Sequence, residues 1–195
     1  MGRVSVVGQG ADAGGVVPGP SGGERSWWFG STGDSRWDPP GAADGLFGTC
    51  YAGTDRMTAV MEAFGDLPVV TEAMVDARSI AVIGVAETRR LADMTSPVIV
   101  GRWRLDRRLS VGDDYAICQR WAHSLRLAGF GGIYYEPRHV PRAQAMTSVA
   151  LFADPGYQPQ EMTVVDEEAI SAPLIAEINH TFGLRVLPGA PLPPT

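Results

Sequence analysis

Glycine and proline mark out where this chain can build a core. There are 24 glycines and 15 prolines in 195 residues, and both ends are dominated by them. Residues 1–24 hold paired glycines (Gly14-Gly15, Gly22-Gly23) among Ala, Val and Ser, with Pro18 and Pro20 between. Residues 187–195 carry Pro188, Pro191, Pro193 and Pro194. Glycine has no preferred backbone well and proline cannot donate to a helix or ladder, so neither end sustains an apolar period. The expectation is a flexible arm over 1–24, one organised domain over 25–187 and an extended tail over 188–195. Gly8, Gly10 and Gly15 imitate a dinucleotide loop after residues 4–7, but the spacing is wrong and no helical pattern follows.

The remaining length suits one domain with a real core. No run of ~18 apolar residues exists to cross a bilayer as a helix, and the opening residues lack a positive patch before an apolar stretch, so no secretory signal is expected. Net charge is −6 with 22 acidic against 16 basic residues, which disfavours direct binding to nucleic acid or a lipid surface. All 16 basic residues are arginine. The absence of lysine excludes Schiff-base enzymes, pyridoxal-phosphate enzymes with an internal aldimine, and P-loop nucleotidases. Arginine remains as the cation, and its planar fork grips phosphate or carboxylate at two points. Cys50 and Cys118 lie far apart, no His-x-x-x-His or Cys-x-x-Cys pair occurs, and no metal site is expected. A reduced, cytoplasmic setting fits these thiols.

Local pattern places the elements. Thr54 or Asp55 can cap a helix through Met57, Val60, Met61, Ala63 and Phe64. Residues 80–85, 98–105, 133–135 and 149–152 read as strands. Residues 115–128 read as a helix with Ile117, Trp121, Leu125 and Ala128 on one side, stopped by Gly129, and 167–182 as a late amphipathic helix. Short strands mixed with helices, without βαβ alternation, give the α+β class.

Several residues stand where chemistry could sit. Arg36-Trp37-Asp38-Pro39-Pro40 follows Trp27-Trp28-Phe29, so Arg36 is either a phosphate-binding guanidinium on a stiff loop or half of a surface pair with Asp38. Tyr51, in Gly48-Thr49-Cys50-Tyr51-Ala52, either stacks on a flat ring or is simply half-buried at a strand end. Glu62 lies among Val60, Met61, Ala63 and Phe64. It is either a desolvated functional acid or a residue of the solvated face. His139 follows a strand on a loop, whereas His123 and His180 sit within helices.

In this order the motifs resemble the RES domain, a bacterial family named for an Arg, a Glu and a Ser. Arg36-Trp37-Asp38-Pro39-Pro40, Gly48-Thr49-Cys50-Tyr51-Ala52 and Ala59-Val60-Met61-Glu62-Ala63-Phe64 carry the likeness. Leu91-Ala92-Asp93-Met94-Thr95, Tyr115-Ala116-Ile117-Cys118-Gln119-Arg120-Trp121-Ala122 and Gly131-Gly132-Ile133-Tyr134-Tyr135 continue it, with Arg138-His139 and Val149-Ala150-Leu151-Phe152 after. The likeness covers roughly 27–153. It implies a split mixed β-sheet with surrounding helices, as in diphtheria-toxin-type ADP-ribosyltransferases, and cleavage of NAD between nicotinamide and ribose. Water, phosphate or another acceptor would take the ADP-ribosyl group, so the chain would be a glycohydrolase, phosphorylase or transferase, with NAD as substrate and no cofactor.

Many members are toxins blocked by an antitoxin, so the resemblance implies an antitoxin protein as partner, with a second copy of the chain as another candidate. The implied catalytic residues are Glu62, Arg36 and Tyr51, and the implied substrate-binding residues Arg36, Tyr51, Trp28, His139 and Gln119. The family's serine has Pro137 or Ala116 at its place here, with Ser124, Thr147 and Ser148 as other hydroxyls. The alternatives are a RES fold that binds a nucleotide or partner without catalysis, and an NAD-processing enzyme of a biosynthetic pathway.

Overall fold

The computed structural model describes residues 3–7, 27–41, 46–105, 109, 112–138 and 146–189. A seven-stranded mixed sheet organises them, in the order β5-β6-β7-β2-β1-β4-β8. Its strands are β1 (Arg3–Val7), β2 (Gly48–Gly53), β4 (Ser79–Val85), β5 (Leu91–Asp93), β6 (Gly132–Tyr135), β7 (Ser148–Ala153) and β8 (Met162–Ala169). Every neighbour is antiparallel except β5 with β6. A separate parallel pair joins β3 (Val70–Thr71) to β9 (Val186–Leu187). The described helices are α1 (Arg56–Phe64), α2 (Glu72–Asp76), α3 (Pro97–Trp103), α4 (Tyr115–Leu127) and α5 (Ala172–Phe182). None of the described helices is long and apolar enough to cross a membrane. The α+β class expected from the sequence is the one observed.

Alternation along the central strands builds two cores. Val149, Leu151 and Ala153 of β7 join Cys50 and Ala52 of β2 with Trp27, Phe29 and Met162 on one face. Ala150 and Phe152 turn to the other face, with Ile133, Tyr135, Trp37 and the α4 residues Cys118, Ala122 and Leu125. Strand β7 is buried along its whole length, so it reads as a continuous apolar run. A third cluster joins Val60 and Phe64 of α1 to Ile80 of β4 and Ile178 of α5.

Asp55 caps α1, its carboxylate accepting from the Thr58 amide at 2.9 Å. The helix then lies close on β2 at Gly53, where a Cβ would stand 2.3 Å from Ala59 N and 2.8 Å from Ala59 Cα. Both atoms are backbone and cannot swing away. Gly53→Ala is therefore expected to lower stability by roughly 1–3 kcal/mol, the scale of overpacking, read as a fall in the urea midpoint. This contact matters for the site, because Glu62 lies one turn beyond Ala59.

Four expectations are corrected. Residues 3–7 form β1 between β2 and β4, so the arm expected over 1–24 gives way there to a strand inside the sheet. The remainder of that arm, residues 8–24, and residues 190–195 of the tail lie outside the described residues. Residues 98–105 form most of a helix, with Pro97 in its first turn and Arg104 closing it at φ 51°. Proline supplies a pre-set helical φ and no ladder donor, which overrides the β-branched run. Residues 167–169 belong to β8, and α5 starts only after Ser171, whose hydroxyl accepts from the Leu174 amide. On α4 the buried side is Cys118, Gln119, Ala122 and Leu125, while Ile117 is 37% exposed. On this face Gln119 points inward and donates to the Gly33 and Ser35 carbonyls.

Candidate active site

The Arg36 loop is held by hydrogen bonds made inside the protein. Gln119 Nε2 donates to the Gly33 carbonyl at 2.7 Å and the Ser35 carbonyl at 3.1 Å. Asp38 accepts from the Ser35 amide at 3.2 Å, and the Thr49 hydroxyl donates to the Trp37 carbonyl at 2.9 Å. Trp37 is only 1% exposed. It anchors the loop in the core beside Arg36.

Arg36 is itself 8% exposed. Its Nη1 donates to the Leu109 carbonyl at 2.9 Å and lies 3.8 Å from Cys118 Sγ, and the guanidinium carbon sits 4.8 Å over the Tyr115 ring. Its Nη2 is buried without a hydrogen-bond partner among the described residues. A charged donor in that condition costs free energy unless an anion arrives to accept from it. The surface-pair reading of Arg36 with Asp38 therefore does not hold: both side chains are buried and each has other partners.

Tyr51 accepts from the Trp37 amide at 2.7 Å and donates to Asp38 Oδ1 at 3.2 Å. Its hydroxyl is committed to the loop, so the ring is what it offers a ligand. Burial, then the Asp38 charge, pushes its phenol well above the ordinary range. Asp38 is pushed upward by burial, against the hydrogen bonds from Ser35 and Tyr51. A raised carboxyl means that the folded state holds the proton more tightly than the unfolded chain. This group's contribution is therefore most favourable below pH 3.8 and is lost as pH rises through its raised value. Relative to Asp38→Asn, the parent is expected to lose stability across that window, checked by urea unfolding of both proteins from pH 3 to 7.

Glu62 projects from α1 toward β6, and Tyr135 Oη donates to its Oε1 at 2.9 Å. Arg36, Tyr51 and Glu62 come from a loop, a strand and a helix, yet they line one cavity of about 280 Å³. Asp34, Ser35, Asp66, Tyr115, Tyr135 and Arg138 complete its wall. None of these six was assigned to the site from the sequence, although Tyr115, Tyr135 and Arg138 stand in the motifs that carry the family likeness. Arg138 follows β6 and pairs with Asp113 at 2.8 Å. Tyr115 opens α4, where its ring reads as ordinary helix-face material.

The other expected residues fall elsewhere. Gln119 lies behind the loop and not in the cavity wall, and Trp28 is 42% exposed outside it. His139 lies outside the described residues. Of the hydroxyls, Ser124 donates to the Arg120 carbonyl and Thr147 to Tyr134 Oη, while Ser148 is fully buried opposite Tyr135. The serine that lines the cavity is Ser35. Burial pushes the Cys50 thiol up to about 12 and the Cys118 thiol upward too, so neither is an available thiolate at neutral pH. No cluster of metal-ligating side chains occurs among the described residues.

The architecture is thus an α+β protein whose mixed sheet carries a small cavity of arginine, glutamate and tyrosine side chains. The sequence matches the RES domain over residues 16–171, and the chain belongs to that family. Among solved structures it is similar to a chain of the Mycobacterium tuberculosis MbcT–MbcA toxin–antitoxin complex. The match covers 92% of this chain and 89% of that one, with TM-score 0.61 and 17% identity, and it establishes a shared fold. No curated protein matches the sequence.

Proposed function

We propose that this protein cleaves NAD between nicotinamide and ribose, consuming it as substrate, and that it acts as the toxin of a toxin–antitoxin pair. The observation that carries the reading is that Arg36, whose buried Nη2 has no hydrogen-bond partner among the described residues, lines the same cavity as Glu62 and Tyr51. A pyrophosphate oxygen accepts from Nη2, while Nη1 stays tethered to Leu109. The Tyr51 ring offers the flat face on which nicotinamide stacks. A cavity of about 280 Å³ takes the nicotinamide–ribose end and leaves the adenosine half outside.

Departure of nicotinamide carries the bonding electron pair to the ring nitrogen and leaves an oxocarbenium-like ribose. A carboxylate beside that carbon gains most at the transition state, and Glu62 is assigned this role. Water or phosphate then attacks the carbon and completes the transfer. The toxin assignment is supported by membership of the RES family and by the fold shared with a chain of a toxin–antitoxin complex.

The test is incubation of the purified protein with NAD, with and without phosphate, followed by product identification. Release of nicotinamide is expected, with ADP-ribose or its phosphate ester as the second product. A protein that binds NAD yet releases no nicotinamide with either acceptor would be a nucleotide-binding RES fold instead. Growth arrest on expression, relieved by a co-expressed neighbouring gene product, tests the toxin assignment separately.

A further inference from the structure

We propose that Tyr135 is a positioning residue of this site, holding the Glu62 carboxylate in place for the reaction; the inference rests on the NAD-cleaving reading. Its phenol donates to Glu62 Oε1 at 2.9 Å across 73 positions of sequence. Through this contact a residue of the sheet reaches the carboxylate on α1. A glutamate side chain has three rotatable bonds, so a helix alone does not place its carboxylate.

The sheet register explains why the two meet. Tyr135 of β6 stands opposite Ser148 of β7, and Ser148 stands opposite Gly53 of β2. Gly53 is the point where α1 closes on the sheet, at Ala59. Tyr135 and Glu62 thus lie on the two sides of the same close approach. Tyr135 is 4% exposed, and its ring meets Trp37 edge-on with centroids 5.8 Å apart. The tyrosine is therefore fixed by the same tryptophan that anchors the Arg36 loop.

The phenol is also a dependable donor. Burial, then the Glu62 and Tyr51 charges, hold it well above the ordinary tyrosine range, so it keeps its proton through neutral pH. The other titratable groups around the cavity are Asp34, Arg36, Tyr51, Asp66, Tyr115 and Arg138. Of these, Tyr51 is tied to Trp37 and Asp38, and Arg138 to Asp113.

Tyr135→Phe keeps the ring and its contact with Trp37 and removes only the donor. It is expected to lower kcat for nicotinamide release about tenfold or more with KM for NAD nearly unchanged. The acidic limb of the kcat profile is expected to move to higher pH, because a carboxylate that loses a donor takes up its proton more readily. Site-specific 3-fluorotyrosine at position 135 retains shape and strengthens the donor, so it is expected to move that limb to lower pH. Neither limb would move if Tyr135 merely filled space, and a Tyr135→Phe protein with parental kcat and pH profile would overturn the proposal. Titration of the Glu62 carboxyl by carbon NMR, in the parent and the two altered proteins, reads the same contact without turnover. Opposite displacements in an otherwise inactive parent would support the contact and reject NAD cleavage. Coincident titrations in an active parent would reject the role of Tyr135 and leave NAD cleavage standing.

Discussion

Glu62→Gln is expected to lower kcat for nicotinamide release by about 10²–10³ while NAD binding stays near the parental level. The argument is differential. In bound NAD the positive charge resides on the nicotinamide ring, away from the sugar carbon. As the bond breaks, that charge moves to the ribose, where an anion in a half-enclosed cavity stabilises it most. Glutamine has the same shape and can still accept from Tyr135 Oη through its amide oxygen, so the Tyr135 contact survives the substitution. What is lost is the charge. An interaction made mainly in the transition state lowers kcat and kcat/KM together, and this is the pattern to look for in initial-rate kinetics. Parental turnover by Glu62→Gln would remove the carboxylate from the mechanism.

Arg36→Ala is expected to act on grip. The pyrophosphate keeps its charge throughout the reaction, so its arginine contributes nearly equally to ground and transition states. KM should rise about tenfold to a hundredfold, the scale of hydrogen bonds to charged groups, with kcat much less affected. A stability cost accompanies it. The buried Leu109 carbonyl loses its guanidinium donor, keeping the Cys118 thiol at 3.3 Å, and the Tyr115 ring loses its cation, together worth about 1–3 kcal/mol. Calorimetric binding of NAD to the folded variant separates the two effects. Arg36→Lys restores a charge but not the fork that holds Leu109 with one nitrogen and faces a ligand with the other, so it should recover KM only in part.

The helix bearing Glu62 and the loop bearing Arg36 were both legible in the sequence, for local reasons. Asp55 accepts from an amide three residues on, and the apolar spacing from Met57 to Phe64 marks one helix face. Two prolines and an aromatic in Arg36-Trp37-Asp38-Pro39-Pro40 make a stiff loop whatever surrounds it. The even choice between a functional and a solvated Glu62 could not be resolved the same way. Its partner Tyr135 is 73 positions distant, and nothing in helical periodicity reports what a side chain meets across a sheet.

The misread segments share that cause. Residues 98–105 look like a strand because Val98, Ile99 and Val100 are β-branched or apolar, yet no residue of α3 is buried and Val98 is 73% exposed. With no core to reward an extended face, the start signal at Pro97 decides. Residues 3–7 are too short a run, amid too much glycine, to announce a strand. They become β1 because β2 and β4 present ladders on either side, a reason that exists only once both strands are in place.

What the amino-acid sequence determined by itself is therefore the class, the capped helix, the stiff arginine loop and the family, since each rests on contacts within a few residues or on ordered motifs. The tertiary structure alone decided that Arg36 is buried with one nitrogen unpartnered among the described residues, that its guanidinium lies over the Tyr115 ring, and that Tyr135 donates to Glu62. Those facts depend on strand order and register, which bring Gly53, Ser148 and Tyr135 into one row under α1. A ladder pairs residues by position in space, and a one-residue slip would turn every one of these side chains to the opposite face.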